Sequence, residues 1–295
     1  MSNSDNNILP MSVEQALKQG IELLKSAATD DSLTDAKTDV EYLLSFVLQQ
    51  DFTWLKTWPE HCLLQEQQEK FEELLQRRQK GEPIAYLVGN KAFWNLILKT
   101  TPATLIPRAE TESLVELALD FLKHKSRAKV LDLGTGTGAI ALAIASERPD
   151  DEIFACDFQA DAVALAQENA QSNNLQHVKI FQSDWFSSVL ERDFDLIVAN
   201  PPYVAPDDPH LQRDDLIFEP DSALVADDDG FSDINHIIAN AQEYLRRGGG
   251  LMLEHGYRQA EAIRNTMIEK GYLTVSTHGD IAGLDRITMG IKSKE

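Results

Sequence analysis

An apolar run, Val130 to Leu133, breaks at Gly134 into a turn with three alternating glycines and resumes at once as the helical pattern AIALAIASE. A strand that passes through such a turn into a helix is the opening unit of a parallel, doubly wound sheet. The remainder of the chain repeats that unit. EIFACD, DAVALAQENAQSN, VKIFQSD, DLIVAN, a helix near INHIIANAQEYLRR, the strand GLMLEH, a helix near QAEAIRNTMIEKG and two final strands follow in order. With KVLDL this makes seven strands, and the alternation places helices on both faces of one sheet. In that architecture ligands sit beyond the carboxyl ends of the strands.

The chain ahead of this region has a different period. VEQALKQGIELLKSA, DVEYLLSFVLQ and EQQEKFEELLQRRQKG place apolar residues three and four apart, with Gly81 as a stop, so a small helical bundle is expected. From Ile84 to Pro107 short strand-like pieces, around AFWNLILKT and ATLIP, then predict a hairpin joining two bodies. The expected division is a helical domain over 1–88, a hairpin linker over 89–107 and an α/β domain over 108–295. The short acidic run DDDG, Asp227 to Gly230, reads as a solvated turn.

Glycine tolerates positive φ and lacks a Cβ, so Gly134, Gly136 and Gly138, with Thr135 and Thr137 between them, form a turn that can lie flush under a ligand. Ala139 and Ile140 follow Gly138, which departs from G-x-G-x-x-G, and no Lys-Ser/Thr pair completes a phosphate loop. A nucleoside without a pyrophosphate is the favoured ligand. EIFACD ends in Asp157, near the offset at which a carboxylate accepts from two ribose hydroxyls. VKIFQSD ends at Asp184 and Trp185, placed to reach the edge and face of an adenine. Taken singly, Asp157 is more often a helix N-cap and Trp185 more often a core residue. Their arrival at successive strand ends of one sheet converges on a single crevice.

The fourth strand runs directly into Asn200, Pro201, Pro202 and Tyr203. An amide nitrogen is a poor nucleophile because its lone pair is delocalised into the carbonyl. It must therefore be held and aimed. The Asn200 side-chain oxygen and the Pro201 carbonyl can each accept one N–H, the prolines remove competing backbone donors, and Tyr203 can stack on a planar amide or base. Asn-Pro-Pro elsewhere is a turn former; here it falls in the same crevice as the glycine loop. The seven histidines are scattered, and neither they nor Cys62 and Cys156 show metal-ligand spacing.

The formal charge of −21, from 27 Lys plus Arg against 48 Asp plus Glu, disfavours long non-specific contact with phosphate backbones. Two distant cysteines give no disulfide framework, the N-terminus lacks signal-peptide order, and no apolar run reaches membrane-spanning length. A soluble cytoplasmic protein is expected.

The segments GEPIAYLVGNKAFW, TLIPRAETE, VLDLGTGTGAIALAIASERPD, QSDWF, DLIVANPPY, FEP at Phe218 to Pro220, and LMLEHG resemble the PrmC/HemK family of release-factor glutamine N5-methyltransferases over nearly the whole chain. The glycine loop and Asn-Pro-Pro-Tyr are shared with several amino-methyltransferases; their combination with GEPIAYL, FW and IPR-x-ET is far more specific. The resemblance implies a class I methyltransferase (Rossmann-like) domain, with the helical domain recognising substrate. It implies that Gly134 through Gly138 and Asp157 hold S-adenosylmethionine, with Trp185 beside its adenosine. It further implies that Asn200 to Tyr203 receive the glutamine side chain of the Gly-Gly-Gln motif in peptide-chain release factors, Asn200 lying next to the methyl donor as well. Ala109 stands where the family usually has proline, which puts the stiffness of that turn in question. Two other readings remain open. One is a DNA or RNA amino-methyltransferase that clamps a flipped base in Asn-Pro-Pro-Tyr; the other is a non-enzymatic module whose sheet is only a scaffold.

Overall fold

The computed structural model describes residues 11–27, 36–212 and 216–294, which fall into two compact units dividing between Gly89 and Asn90. Five helices build the first unit: α1 (Val13–Ala27), α2 (Ala36–Leu48), α3 (Phe52–Thr57), α4 (Gln65–Gln79) and α5 (Ile84–Val88). Apolar residues three and four apart, such as Val40, Leu43 and Leu44 on α2 and Phe71, Leu74 and Leu75 on α4, form its core. Helices α3 and α5 were not expected. α3 starts where the Asp51 carboxylate accepts from the Trp54 N–H at 2.7 Å, and α5 stops at Gly89, whose φ of 73° is left-handed.

The second unit begins with the hairpin β1 (Asn90–Phe93) and β2 (Leu96–Lys99), in which Phe93 pairs with Leu96. The two-residue turn is made by Trp94, at a left-handed φ of 55°, and Asn95. The hairpin thus closes inside NKAFWNLILK. Ile84 to Val88 is helical and ATLIP carries no strand, so the strand-like reading of those flanks is corrected. Short apolar runs do not distinguish a strand from a helix or an irregular buried segment.

Next come α6 (Glu112–Leu122), β3 (Lys129–Leu133), α7 (Ala139–Glu147), β4 (Glu152–Asp157), α8 (Ala160–Ser172), β5 (Lys179–Gln182) and β6 (Phe194–Ala199). Two one-turn segments follow, α9 (Asp221–Leu224) and α10 (Asp227–Gly230), then α11 (Ser232–Tyr244), β7 (Leu245–Glu254), α12 (Ala260–Glu269), β8 (Leu273–Gly279) and β9 (Asp285–Ile291). The seven strands form one sheet in the order β5-β4-β3-β6-β7-β9-β8. Strand alternation drives both faces: Val130 packs with Leu114 and Leu142 on one side, and Leu131 packs with Ile234 and Ile238 on the other. Six strands run in one direction and β9 alone runs against them, antiparallel to both β7 and β8, so the sheet is mixed. The cause is the tight β8–β9 connection, where the Asp280 Oδ1 accepts from Ala282 N at 2.9 Å and Leu284 N at 3.0 Å. A turn that short can join only antiparallel neighbours. Among the described residues no helix is long and apolar enough to cross a membrane.

Candidate active site

Chain direction across the sheet reverses between its neighbours β3 and β6, since β3 leads outward to β4 and β6 leads the other way to β7. At such a switch point the following connections diverge and leave a crevice at the strand ends. A cavity of about 350 Å³ lies there, lined by residues between Ala103 and Asp233. Gly134, Gly136 and Gly138 have φ of 68°, 54° and 86°, the left-handed region that side chains disfavour. A Cβ on Gly138 would approach Leu142 to 3.0 Å. The loop is fixed from below by Thr135 N donating to the Cys156 carbonyl at 2.9 Å and Gly138 N donating to the Thr135 carbonyl at 2.8 Å. It is also held by Asp132, whose Oδ2 accepts from Thr135 Oγ1 at 2.6 Å and Ala141 N at 3.2 Å. Asp132 is fully buried and its Oδ1 has no partner. Burial pushes its carboxyl up to about 7. Asn169 of α8 ties the loop to the hairpin, donating to the Thr137 carbonyl at 2.9 Å and the Lys99 carbonyl at 3.1 Å.

The Asp157 carboxylate accepts from Gly136 N and Gln159 N, each at 2.9 Å, while Gln159 occupies the N-cap position of α8. Asp157 therefore braces the glycine loop and faces the cavity rather than capping the helix. Burial raises its pKa against the opposing backbone N–H groups. Trp185, at φ 45°, lies against Gly134, where a Cβ would meet its ring at 3.5 Å. It packs on the sheet core and lines the cavity too, so the two readings of this residue coexist. Its side chain hydrogen-bonds Asp233 on α11, whose carboxyl is raised first by burial. Among the described lining residues Arg108 is the sole cation, and it is bound to buried Glu219. Glu219 also accepts from Ile106 N at 3.0 Å, so this segment is tied down independently of Ala109.

Asn200 follows β6 directly and its Nδ2 donates to Thr111 Oγ1 at 3.3 Å. The Thr111 hydroxyl also hydrogen-bonds Glu254, the last residue of β7. Burial pushes the Glu254 carboxyl up to about 7 against Thr111 and Arg286, and its Oε2 has no partner. Gln259 Nε2 donates to the Tyr203 carbonyl at 3.1 Å and the Gly230 carbonyl at 3.3 Å. Val204 N donates to the Leu224 carbonyl at 2.9 Å, and Ala226 N to the Val204 carbonyl at 3.0 Å. The DDDG turn is thus a brace for the Asn-Pro-Pro-Tyr loop. Burial, aided by Glu254, pushes the Tyr203 hydroxyl up to about 12, so the phenol stays neutral.

Of the residues singled out in the sequence, Gly134, Thr135, Gly136, Thr137, Asp157, Asp184, Trp185, Asn200 and Pro202 line the cavity. Gly138, Pro201 and Tyr203 adjoin them in the chain without lining it. Thr111, Phe158, Asp233 and Glu254 gave no sequence signal of their own. Thr111 belongs to IPR-x-ET and Glu254 to LMLEHG, which marked both segments only through resemblance.

A doubly wound sheet with a nucleoside-sized cavity at its switch point is shared by many nucleotide-binding enzymes, and the class is given by residues 109–269, which match the family described as "Methyltransferase small domain". Residues 15–89 match the family described as "PrmC N-terminal domain". A protein of Aliivibrio fischeri named "Release factor glutamine methyltransferase" is 48% identical over 283 residues, covering 96% of this chain and 98% of that one. One of the same name from Escherichia coli K12 is 50% identical over 254 residues, 86% of this chain and 91% of the other. A solved methyltransferase of Pyrococcus furiosus, 18% identical, superposes with a TM-score of 0.51 over 78% of this chain and all of that one, a likeness of fold. The chain belongs to the release factor glutamine methyltransferase family.

Proposed function

We propose that the protein transfers a methyl group from S-adenosylmethionine to the side-chain amide nitrogen of the glutamine in the Gly-Gly-Gln motif of peptide-chain release factors, in the cytoplasm. The observation that carries this reading is that Asn200 and the glycine loop open into one cavity. The cavity residues fit the cofactor. Its sulfonium is cationic, and Asp157, Asp184 and Asp233 make the cavity acidic with the single described lining cation, Arg108, already paired to Glu219. Gly134 to Thr137 would lie under the cofactor, Asp157 would accept from its ribose, and Asp184, Trp185 and Asp233 would hold its base. When bound, the cofactor supplies an electrophilic methyl group.

The chain's own task is to orient the acceptor. Asn200 Oδ1 accepts one N–H of the glutamine amide, the Pro201 carbonyl accepts the other, and Tyr203 flanks the amide plane. Positioning by two acceptors supplies much of the acceleration, and no strong base is needed when the proton leaves after transfer. Residues 1–88 act as the substrate-recognition domain, 89–107 as the linking segment with the hairpin, and 108–295 as the catalytic domain.

The test is incubation with isotopically labelled S-adenosylmethionine and a release factor, followed by mass mapping. The label is expected on the Gly-Gly-Gln glutamine alone. Asn200→Ala should lower single-turnover rate by about 100-fold, the scale for losing one oriented polar contact in the transition state. Its melting temperature should change little. Label on duplex DNA or RNA instead would replace this reading with the nucleic-acid one.

A further inference from the structure

Asn200 has a carboxamide whose two ends differ only in hydrogen-bonding role, and rotation by half a turn would present Nδ2 to the acceptor instead of Oδ1. Two N–H donors would then face each other and the clamp would fail. Something must set the orientation, and the residues that do so come from two other elements. Thr111, 4% exposed, lies just ahead of α6, and Glu254, 2% exposed, closes β7. A carboxylate is an acceptor only. In its ionised form buried Glu254 accepts a hydrogen bond from the Thr111 hydroxyl and leaves Thr111 Oγ1 with lone pairs alone for Asn200. Such an oxygen can only accept, which selects Asn200 Nδ2, found at 3.3 Å.

We propose that Thr111, directed by Glu254, is a positioning residue that fixes the Asn200 carboxamide with Nδ2 inward and Oδ1 toward the acceptor nitrogen. This rests on the glutamine-methylating reading of the site. The relay is a one-way series: Asn200 donates to Thr111 and Thr111 donates to Glu254. Its terminus is enclosed by the charges of Arg286 on β9, Asp280 in the β8–β9 turn and Glu110 beside Thr111, and by the neutral Tyr203 phenol. Thr111 touches the cavity wall but makes its contribution through Asn200, so its loss should appear in turnover rather than in binding.

The test compares Thr111→Val, which keeps shape and deletes the hydroxyl, with Thr111→Ser, which restores it. For Val, kcat on a release factor is expected to fall by about 30-fold while KM and the cofactor dissociation constant stay within about 2-fold; Ser should recover most of the rate. The Asn200 side-chain amide signals, followed by NMR in isotopically labelled full-length protein without substrate, should show one shifted, protected proton in wild type and Ser that is lost in Val. Wild-type kcat in Val, equal loss in Val and Ser, or Asn200 signals indifferent to the Val change would each overturn the proposal. Absence of glutamine methylation by wild type would sink the substrate reading separately, with the Asn200 signals still deciding the orientation of the amide.

Discussion

Asp157 serves two neighbours at once, holding Gly136 N at 2.9 Å while keeping lone pairs free toward the cavity. Asp157→Ala should weaken cofactor binding by about 1.5 to 3 kcal/mol, the range for hydrogen bonds to a charged group. Calorimetry reads this directly, and an unchanged dissociation constant in a folded variant would remove the residue from the site. Buried carboxyls also make a pH prediction. Folding raises Glu254 from 4.5 to about 7 and Asp132 from 3.8 to about 7, so the folded state binds these protons more tightly than the unfolded one. Their contribution to stability is therefore greatest at low pH and is lost as pH rises through about 7. Glu254→Gln, a neutral mimic of the protonated acid, should melt higher than wild type at pH about 8 and the gap should narrow at about 5, read from thermal scans. Strand-end residues such as Asp157, Trp185 and Asn200 were legible because the pattern itself places them in one crevice. Thr111 was not, for its partner Asn200 lies 89 residues away and no local period joins them.

Between elements, the least legible feature was the brace behind Asn-Pro-Pro-Tyr. DDDG looks like solvated turn chemistry, and Asp228 and Asp229 do adopt left-handed φ of 57° and 54°. Its final residue has another role. Gly230, at φ 84°, would bring a Cβ to 2.2 Å from the Tyr203 carbonyl oxygen. Gly230→Ala should cost about 1 to 3 kcal/mol through backbone strain and displace the Tyr203 loop. Turnover should then fall about 10-fold or more while cofactor affinity holds, since β3, β4 and the glycine loop are untouched. A variant with normal turnover and a normal melting curve would show that the loop does not depend on this contact. The strand–helix alternation and the main helices could be read from periodicity because each spans several repeats of its period. α3 and α5, six and five residues long, are too short for that, and the final antiparallel pair depends on turn length rather than on pattern.

At the scale of the molecule, the question is how one glutamine is selected. The proposed clamp around Asn200 would distinguish a planar NH₂ from other groups, but every exposed glutamine side chain offers the same amide. Selectivity must come from surface remote from the reacting nitrogen, whose binding energy orients the amide. The first unit, matched over residues 15–89 by a family domain of its own, is the obvious source of that surface. The glycines of Gly-Gly-Gln would let the substrate backbone enter a narrow crevice that a Cβ would obstruct. Free glutamine and short glutamine peptides should accordingly be poor acceptors. We expect a chain beginning at Asn90 to keep its cofactor affinity, which serves as the folding control, and to lose about 100-fold or more in transfer to an intact release factor. A release factor with its Gly-Gly-Gln glutamine changed to alanine should accept no methyl group from either chain. Equal transfer to the altered factor would refute the substrate assignment, whereas full activity of the shortened chain toward the intact factor would refute the recognition role of the helical unit and leave the chemistry of the cavity standing.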